Sequence, residues 1–136
     1  MITFQQNTAS RYQQVQFDTA DRGRILLMMF DGALRFLTQA EAGLREDRLD
    51  QFATSLARAQ AVVAELLHTL DHKAGGQVAV DLERLYRFML DHLVEANLRK
   101  SAVHVSQVRG VLSIISDAFH EIVARAPEPM RALDAA

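Results

Sequence analysis

The sequence predicts an all-α protein: an antiparallel up-down-up-down four-helix bundle with an N-terminal arm. Four long segments repeat apolar residues every three or four positions, and no window sustains a strict alternation of apolar and polar residues. Only two Pro and six Gly are present, so the chain has few places to turn. We expect an N-terminal arm or cap at residues 1–20, the bundle at 21–126 and a flexible C-terminal tail at 127–136.

The four helical segments are separated by residues that break or cap helices. They are expected at residues 21–43, 48–70, 77–99 and 102–126. Asp21, Asp47 and Ser101 stand at the starts of three of them, where a side-chain oxygen can accept hydrogen bonds from free N–H groups. Gly75 and Gly76 can turn the chain after the second segment, because Gly tolerates positive φ. Helices of this length joined by short turns must run antiparallel.

Each helix is predicted to bury a row of residues that faces its neighbours. The four rows are Leu26, Phe30, Ala33, Leu37, Ala40 and Leu44; Phe52, Leu56, Ala59, Val63, Leu66 and Leu70; Val78, Leu82, Leu85, Met89, His92 and Ala96; and Val105, Val108, Leu112, Ile115, Phe119, Ile122 and Ala126. Gly32 and Gly110 lie inside helices, where each costs about 1 kcal/mol relative to Ala. Close approach of two helices is the expected compensation at both positions.

Further apolar residues flank these rows. A bundle helix needs to bury about three of every seven positions, and these segments carry more. The surplus is therefore expected to face the arm, a second copy of the chain or a partner.

Composition and charge argue against several classes of function. With 15 Lys and Arg against 17 Asp and Glu, the net charge of −2 disfavours a broad basic face for nucleic acid. The absence of Cys excludes disulfides and thiolate metal sites. The longest apolar run, residues 25–30, is far too short for a membrane span. The first residues do not resemble a secretory signal, so we expect a cytosolic protein.

No set of residues indicates catalysis. Glu65 and His68 match the Glu-x-x-His motif of dinuclear metal sites, and Asp117 with His120 nearly does, but both pairs flank the predicted core on its outward side. His68 could also belong to a histidine phosphotransfer domain, although it lies at a helix end and Asp71 would repel a phosphoryl group. We therefore predict no metal, no cofactor and no catalytic residue. A helix-binding or self-associating module is favoured, and phosphotransfer is the alternative.

Five stretches then form a set in a fixed order along the chain. They are residues 25–37, which contain Phe30-Asp31-Gly32, then 65–76, 82–89, 95–98 and 108–112. Over about residues 12–123 this set resembles the FliS family, the flagellar secretion chaperones. The family's Tyr-Asp-Gly corresponds to Phe30-Asp31-Gly32 here, and a late Trp corresponds to Phe119.

The resemblance implies a four-helix bundle without enzymatic activity. It implies binding of the C-terminal segment of flagellin in the bacterial cytosol, so that subunits do not polymerise before export. It also implies that the N-terminal arm can cover part of this site, with Tyr12 close to the bundle. We expect flagellin to contact outward rows of the second and third helices: Ala57, Ala61, Ala64, Leu67, Tyr86, Leu93 and Asn97. The flagellar export apparatus is a further expected partner, and a homodimer is an alternative use of the apolar surface.

Overall fold

A computed structural model describes the backbone of residues 4–125 and the side chains of residues 22–125. These residues form helices and no strand, so the predicted all-α class is confirmed. The helices are α1 (Phe4–Arg45), α2 (Leu49–His68), α3 (His72–Gly75), α4 (Gln77–Arg99) and α5 (Ala102–Arg125). The sequence does not predict α3, a single turn that lies between the second and third expected helices.

The first helix begins at Phe4 and not at Asp21 as predicted. The polar composition of this region suggested an arm, but residues 4–22 contain neither Pro nor Gly to stop a helix. The side chains of residues 1–21 lie outside the described part of the chain, as does the predicted tail. Docking of the arm through Tyr12 and the three domain boundaries therefore stay predictions.

The connections between helices combine confirmed and corrected caps. Asp47 adopts a positive φ of 57° in the α1–α2 turn and does not cap α2, which has Arg48 at the capping position. Ser101 caps α5 as predicted, because its Oγ accepts a hydrogen bond from the backbone N of His104 at 3.3 Å. Gly76 turns the chain into α4 with a φ of 53°. These turns are short enough to reverse the direction of the chain between long helices.

The four long helices form a ring around the core. α1 packs against α2 and α5, and α4 packs against the same two helices. The order around the ring is therefore α1, α2, α4, α5, which supports the predicted up-down-up-down arrangement.

The predicted core rows of α1, α2 and α5 are confirmed except at their last residues, but half of the α4 row is wrong. Leu44, Leu70 and Ile122 are half-buried, and Ala126 lies outside the described residues. The buried residues of α4 are Ala79, Leu82, Tyr86, Met89, Leu93 and Ala96. Val78 and Leu85 are instead 44% and 37% exposed, and His92 is half-buried. The predicted and the observed buried rows of α4 share Leu82, Met89 and Ala96. The other buried residues of the helix could lie on either side of these three. The column with Leu93 is buried because its aliphatic side chain costs less to desolvate than the imidazole of His92.

The prediction for the glycines inside helices is also wrong. A Cβ at Gly32 would meet only Nη2 of Arg35, at 3.9 Å, and a Cβ at Gly110 would have no such atom within 4 Å. The close approach occurs at Gly43 near the end of α1, where a Cβ would lie 2.7 Å from the backbone N of Phe52. Gly43 thus permits the tight packing of α1 against the first turn of α2.

Polar contacts on the outside join α1 to α5. Arg109 donates from Nε to Oε1 of Glu41 at 2.7 Å and from Nη2 to Oε2 at 3.3 Å. This hydrogen-bonded carboxylate raises the pKa of Arg109 above its ordinary value. Along the same interface, Nε2 of His120 lies 3.6 Å from Oδ1 of Asp31. His120 therefore contacts a neighbouring helix as an outward residue, in agreement with its predicted position off the core row.

Candidate functional site: the groove between α2 and α4

One side of the candidate site is a row of small residues on α2. Ala57, Ala61 and Ala64 are exposed, and Leu67 is half-buried at the end of the same row. Their spacing of three or four residues puts them on one face of the helix. Methyl side chains allow a second helix to approach the α2 backbone closely. The outward position predicted for the alanines is confirmed.

Contacts of His92 fix the orientation of α4 on the other side. Nε2 of His92 lies 2.5 Å from Oε1 of Gln107, and the rings of His92 and His104 have centroids 4.4 Å apart. Since both partners belong to α5, the face of α4 with His92 is turned towards α5. The opposite flank is turned towards α2, and at helical spacing it carries Glu83, Arg87, Leu90, Val94 and Asn97.

We give the name α2–α4 groove to the surface between these two helices, defined by Ala57, Ala61, Ala64 and Leu67 of α2 and Glu83, Arg87, Leu90, Val94 and Asn97 of α4. At the end nearest α3 it contains a cavity of about 380 Å³ lined by Ala64, Leu67, His68, Leu70, His72, Glu83 and Arg87. This lining places Glu83 and Arg87 directly opposite Ala64 and confirms the orientation of α4.

The groove changes in character along its length. At the end nearest α3, Oε1 of Glu83 lies 3.5 Å from Nη2 of Arg87 and 3.6 Å from Nε2 of His72. Farther along α4 the residues are apolar, with Val94 49% exposed and Leu90 half-buried. An amphipathic helix could therefore place its apolar face on the alanines and Val94, and polar groups near Glu83 and Arg87.

Two residues predicted to contact a partner are not on the surface. Tyr86 and Leu93 are both 0% exposed, because they belong to the column of α4 that is buried in place of Leu85 and His92. Leu90 and Val94 hold the corresponding surface positions and were not among the predicted contacts. The two possible buried columns of α4 are Val78, Leu85 and His92, or Ala79, Tyr86 and Leu93. A comparison of their apolar content could have identified Leu90 and Val94 as surface residues from the sequence.

Asn97 is exposed at the far end of the groove, as predicted for a contact residue. Its backbone oxygen and Oδ1 accept hydrogen bonds from Nζ of Lys100 at 2.9 and 3.1 Å. Lys100 itself ends α4 in a left-handed conformation, and its backbone N donates to the oxygen of Ala96. Asn97 therefore does not occupy the C-cap, and its amide stands at the rim of the groove.

Tyr86 of α4 has a buried hydroxyl group. Its Oη has no hydrogen-bond partner in the described part of the chain, although the side chain is 0% exposed. Burial raises the pKa of this hydroxyl well above its ordinary value, so it is neutral at any physiological pH.

The histidines and acidic residues give no sign of a reaction centre. Glu65 and His68 are both exposed, as expected for surface residues, and His68 is the last residue of α2. Within residues 22–125, no three His, Asp or Glu side chains are grouped closely enough to hold a metal ion. Of the helices that the structure describes, none combines the length and hydropathy that a membrane span needs.

A second apolar surface lies on the α5 side of α4. Phe88 is 44% exposed and stacks on His92, with ring centroids 4.9 Å apart. Ile114 of α5 is 72% exposed. The surplus of apolar residues therefore appears on more than one face of the bundle.

Comparison with known proteins decides the family. The family model described as flagellar protein FliS matches residues 5–126. The chain belongs to the FliS family.

Curated relatives agree with this assignment over most of their length. The flagellar secretion chaperone FliS of Salmonella typhimurium is 32% identical over 120 residues, which cover 85% of this chain and 89% of the relative. That of Campylobacter jejuni is 30% identical, with 82% and 87% covered, and that of Bacillus subtilis is 27% identical, with 87% of both chains covered. FliS proteins are flagellar secretion chaperones, so this FliS-family chain is not an enzyme.

Proposed function

We propose that this chain is a cytoplasmic export chaperone that binds the C-terminal segment of flagellin and prevents its polymerisation before flagellar type III secretion. The relatives named as flagellar secretion chaperones support a flagellar export substrate as the partner. The observation that carries the proposal is the α2–α4 groove, with exposed alanines on α2 and, on α4, the apolar residues Leu90 and Val94 between polar residues at both ends. The flagellar export apparatus would receive the loaded chaperone.

The proposed partner segment is amphipathic and needs a helical surface to cover its apolar face. In the groove, its large side chains would pack over Ala57, Ala61 and Ala64 and against Val94. Each well-buried Leu, Ile or Met contributes about 1.5–3 kcal/mol. A few such anchors offset the ordering of a disordered segment, which costs about 2–5 kcal/mol.

The decisive binding experiment compares flagellin with and without its C-terminal segment. Isothermal titration calorimetry should give saturable binding to full-length flagellin and none to the truncated protein. Equal binding to both would contradict the proposal. Sedimentation of the free chain over a concentration series identifies self-association as a competing use of the apolar surface.

The position of the site can be tested with two exposed alanines. Ala61→Arg places a long charged side chain in the groove, whereas Ala118→Arg makes the same change on α5. Both positions are exposed in helices, so circular dichroism should show unchanged helicity. Ala61→Arg should weaken flagellin binding by at least about tenfold, equivalent to about 1.4 kcal/mol. Equal weakening by both variants would contradict a site confined to the groove.

We also infer that residues 1–18 cover part of the flagellin site when the chain is free, with Tyr12 among the contacts. The resemblance to the FliS family supports this role. Removal of residues 1–16 should raise the affinity for flagellin and lower the solubility of the free chain. Unchanged affinity and solubility would show that these residues do not act as a cap.

A further inference from the structure

A small apolar cavity of about 140 Å³ lies between α1 and the end of α2. Ile25, Leu26 and Met29 of α1 line it together with Arg22 and Thr69. Ile25 is 54% exposed, so its aliphatic side chain would gain free energy from a covering group. None of these residues belongs to the set that defines the α2–α4 groove, so the cavity is a separate surface.

Contacts between α1 and α5 show which part of α5 is level with this cavity. The rings of Phe30 and Phe119 have centroids 5.6 Å apart, and Arg109 donates to Glu41 at 2.7 Å. The two pairs show that the helices run antiparallel, with one step forward along α5 for each step back along α1. The last residues of α5 are therefore level with the residues of α1 that line the cavity.

Residues 126–136 follow directly from this end of α5. Pro127 and Pro129 each lack the N–H that a helix interior needs, so the chain is expected to leave the axis of α5 here. Because Thr69 lines the cavity, it lies on the α2 side of α1, about 10–12 Å or one helix diameter from α5. Four extended residues span about 13 Å, so the chain from position 130 onward can reach the cavity.

The composition of this segment matches the cavity. Met130 and Leu133 are its only large apolar residues, and the unbranched side chain of Met adapts to irregular apolar gaps. Glu128 and Asp134 outnumber its one Arg, whereas Arg22 lines the cavity. The segment thus combines apolar anchors with a charge opposite to that at the rim.

We propose that residues 126–136 fold back over the end of the bundle and cover this cavity. Met130 occupies the cavity, and Leu133 packs against the exposed side of Ile25. The segment then acts as a strap that closes the core beside Leu26, and it is not the free tail that the sequence predicts. The contact forms within the free chain and does not depend on flagellin.

Paramagnetic NMR tests the contact in the full-length chain. The natural sequence has no Cys, so a nitroxide can be attached at a single introduced residue, Ala136→Cys. The label should broaden the signals of residues 22–29 and leave those of residues 101–105, at the opposite end of the bundle, unchanged. No broadening at residues 22–29 would refute the proposal.

The same experiment identifies other occupants of the cavity. Labelled chains mixed with unlabelled, isotope-enriched chains should give no broadening, and broadening there would assign the cavity to a second copy. A label on Tyr12→Cys should broaden residues 22–29 less than the label at position 136. The reverse order would assign the cavity to the N-terminal residues. Either result would overturn the proposal.

The surface of the cavity can be disrupted with a matched control. Ile25→Asp should abolish the broadening by the label at position 136, because it places a charge where Leu133 packs. Ile114→Asp makes the same change at a residue of α5 that is 72% exposed and does not line the cavity, and it should keep the broadening. Equal broadening in both variants would contradict a contact at Ile25.

The anchors of the segment are tested by two double variants that add the same charge. Met130→Asp with Leu133→Asp should lower Tm by at least about 3 °C, because the covered apolar surface is exposed again. Ala132→Asp with Ala135→Asp should leave Tm within about 1 °C of the wild type, since no large apolar side chain is lost. Equal melting temperatures of the two double variants would refute anchoring by Met130 and Leu133.

Discussion

Gly43→Ala should destabilise the bundle, whereas the same change at Gly110 should not. A Cβ at position 43 would lie 2.7 Å from the backbone N of Phe52 and 3.0 Å from its Cα. Both atoms belong to the backbone of α2, so a side-chain rotation cannot relieve the contact. The start of α2 must move away from α1 by several tenths of an ångström.

The magnitude follows from two opposing contributions. Overpacking a core contact costs about 1–3 kcal/mol, and replacing Gly by Ala inside a helix gains up to about 1 kcal/mol. At Gly110 only the gain applies, because a Cβ there would have no such atom within 4 Å. We therefore expect Gly43→Ala to be less stable than Gly110→Ala by about 1–3 kcal/mol.

Thermal unfolding followed by circular dichroism measures this difference. For a chain of this size, 1 kcal/mol corresponds to roughly 3–5 °C in Tm. Gly43→Ala should thus melt at least about 3 °C below Gly110→Ala. Gly32→Ala is a second control, since its nearest neighbour is the flexible end of Arg35 at 3.9 Å. Equal melting temperatures for all three variants would refute the close approach of α1 and α2 at Gly43.

Three further substitutions test the core, the ion pair and the buried hydroxyl. Leu93→Ala should lower the free energy of unfolding by about 2–5 kcal/mol, whereas Val94→Ala, at a position 49% exposed, should lower it by less than about 1 kcal/mol. Urea unfolding measures both values, and a larger loss for Val94→Ala would contradict the observed core of α4. Glu41→Gln removes the partner of Arg109, whose side chain is 41% exposed, so the loss should be only about 0.2–1 kcal/mol and should shrink in high salt. Because burial raises the pKa of Tyr86 above its ordinary 10.0, the unfolded chain loses this proton first and stability falls as the pH rises above that value. Tyr86→Phe should lose less stability in alkaline urea titrations, and parallel curves would refute the burial of the hydroxyl.

Most of the fold could be predicted from hydrophobic spacing, because in α1, α2 and α5 the apolar residues repeated every three or four positions are the ones buried in the core. In α1, the row from Leu26 to Ala40 is buried as predicted. The α4 row was half wrong because Leu85 and Tyr86 are both large and largely apolar. Spacing alone does not distinguish them, since each lies one position from the other beside the shared residues Leu82 and Met89.

Helix ends and glycine roles were harder to predict, because they depend on contacts between distant residues. The predicted start of α1 is too late because the polar composition of residues 1–20 favours an arm, whereas no Pro or Gly interrupts the helix between Phe4 and Arg22. The roles of Gly32 and Gly43 cannot be distinguished within α1 itself. What separates them is the backbone of Phe52, which the α1–α2 turn brings against Gly43 and not against Gly32.

The correction in α4 changes the site as well as the core. Because Tyr86 and Leu93 are buried, Leu90 and Val94 are the apolar residues of α4 on the side of the α2 alanines. The groove therefore has an apolar part, formed by residues other than those predicted. Tyr86 then has a ring suited to the core and a hydroxyl that the core does not satisfy. A column selected only for packing would favour Phe at this position.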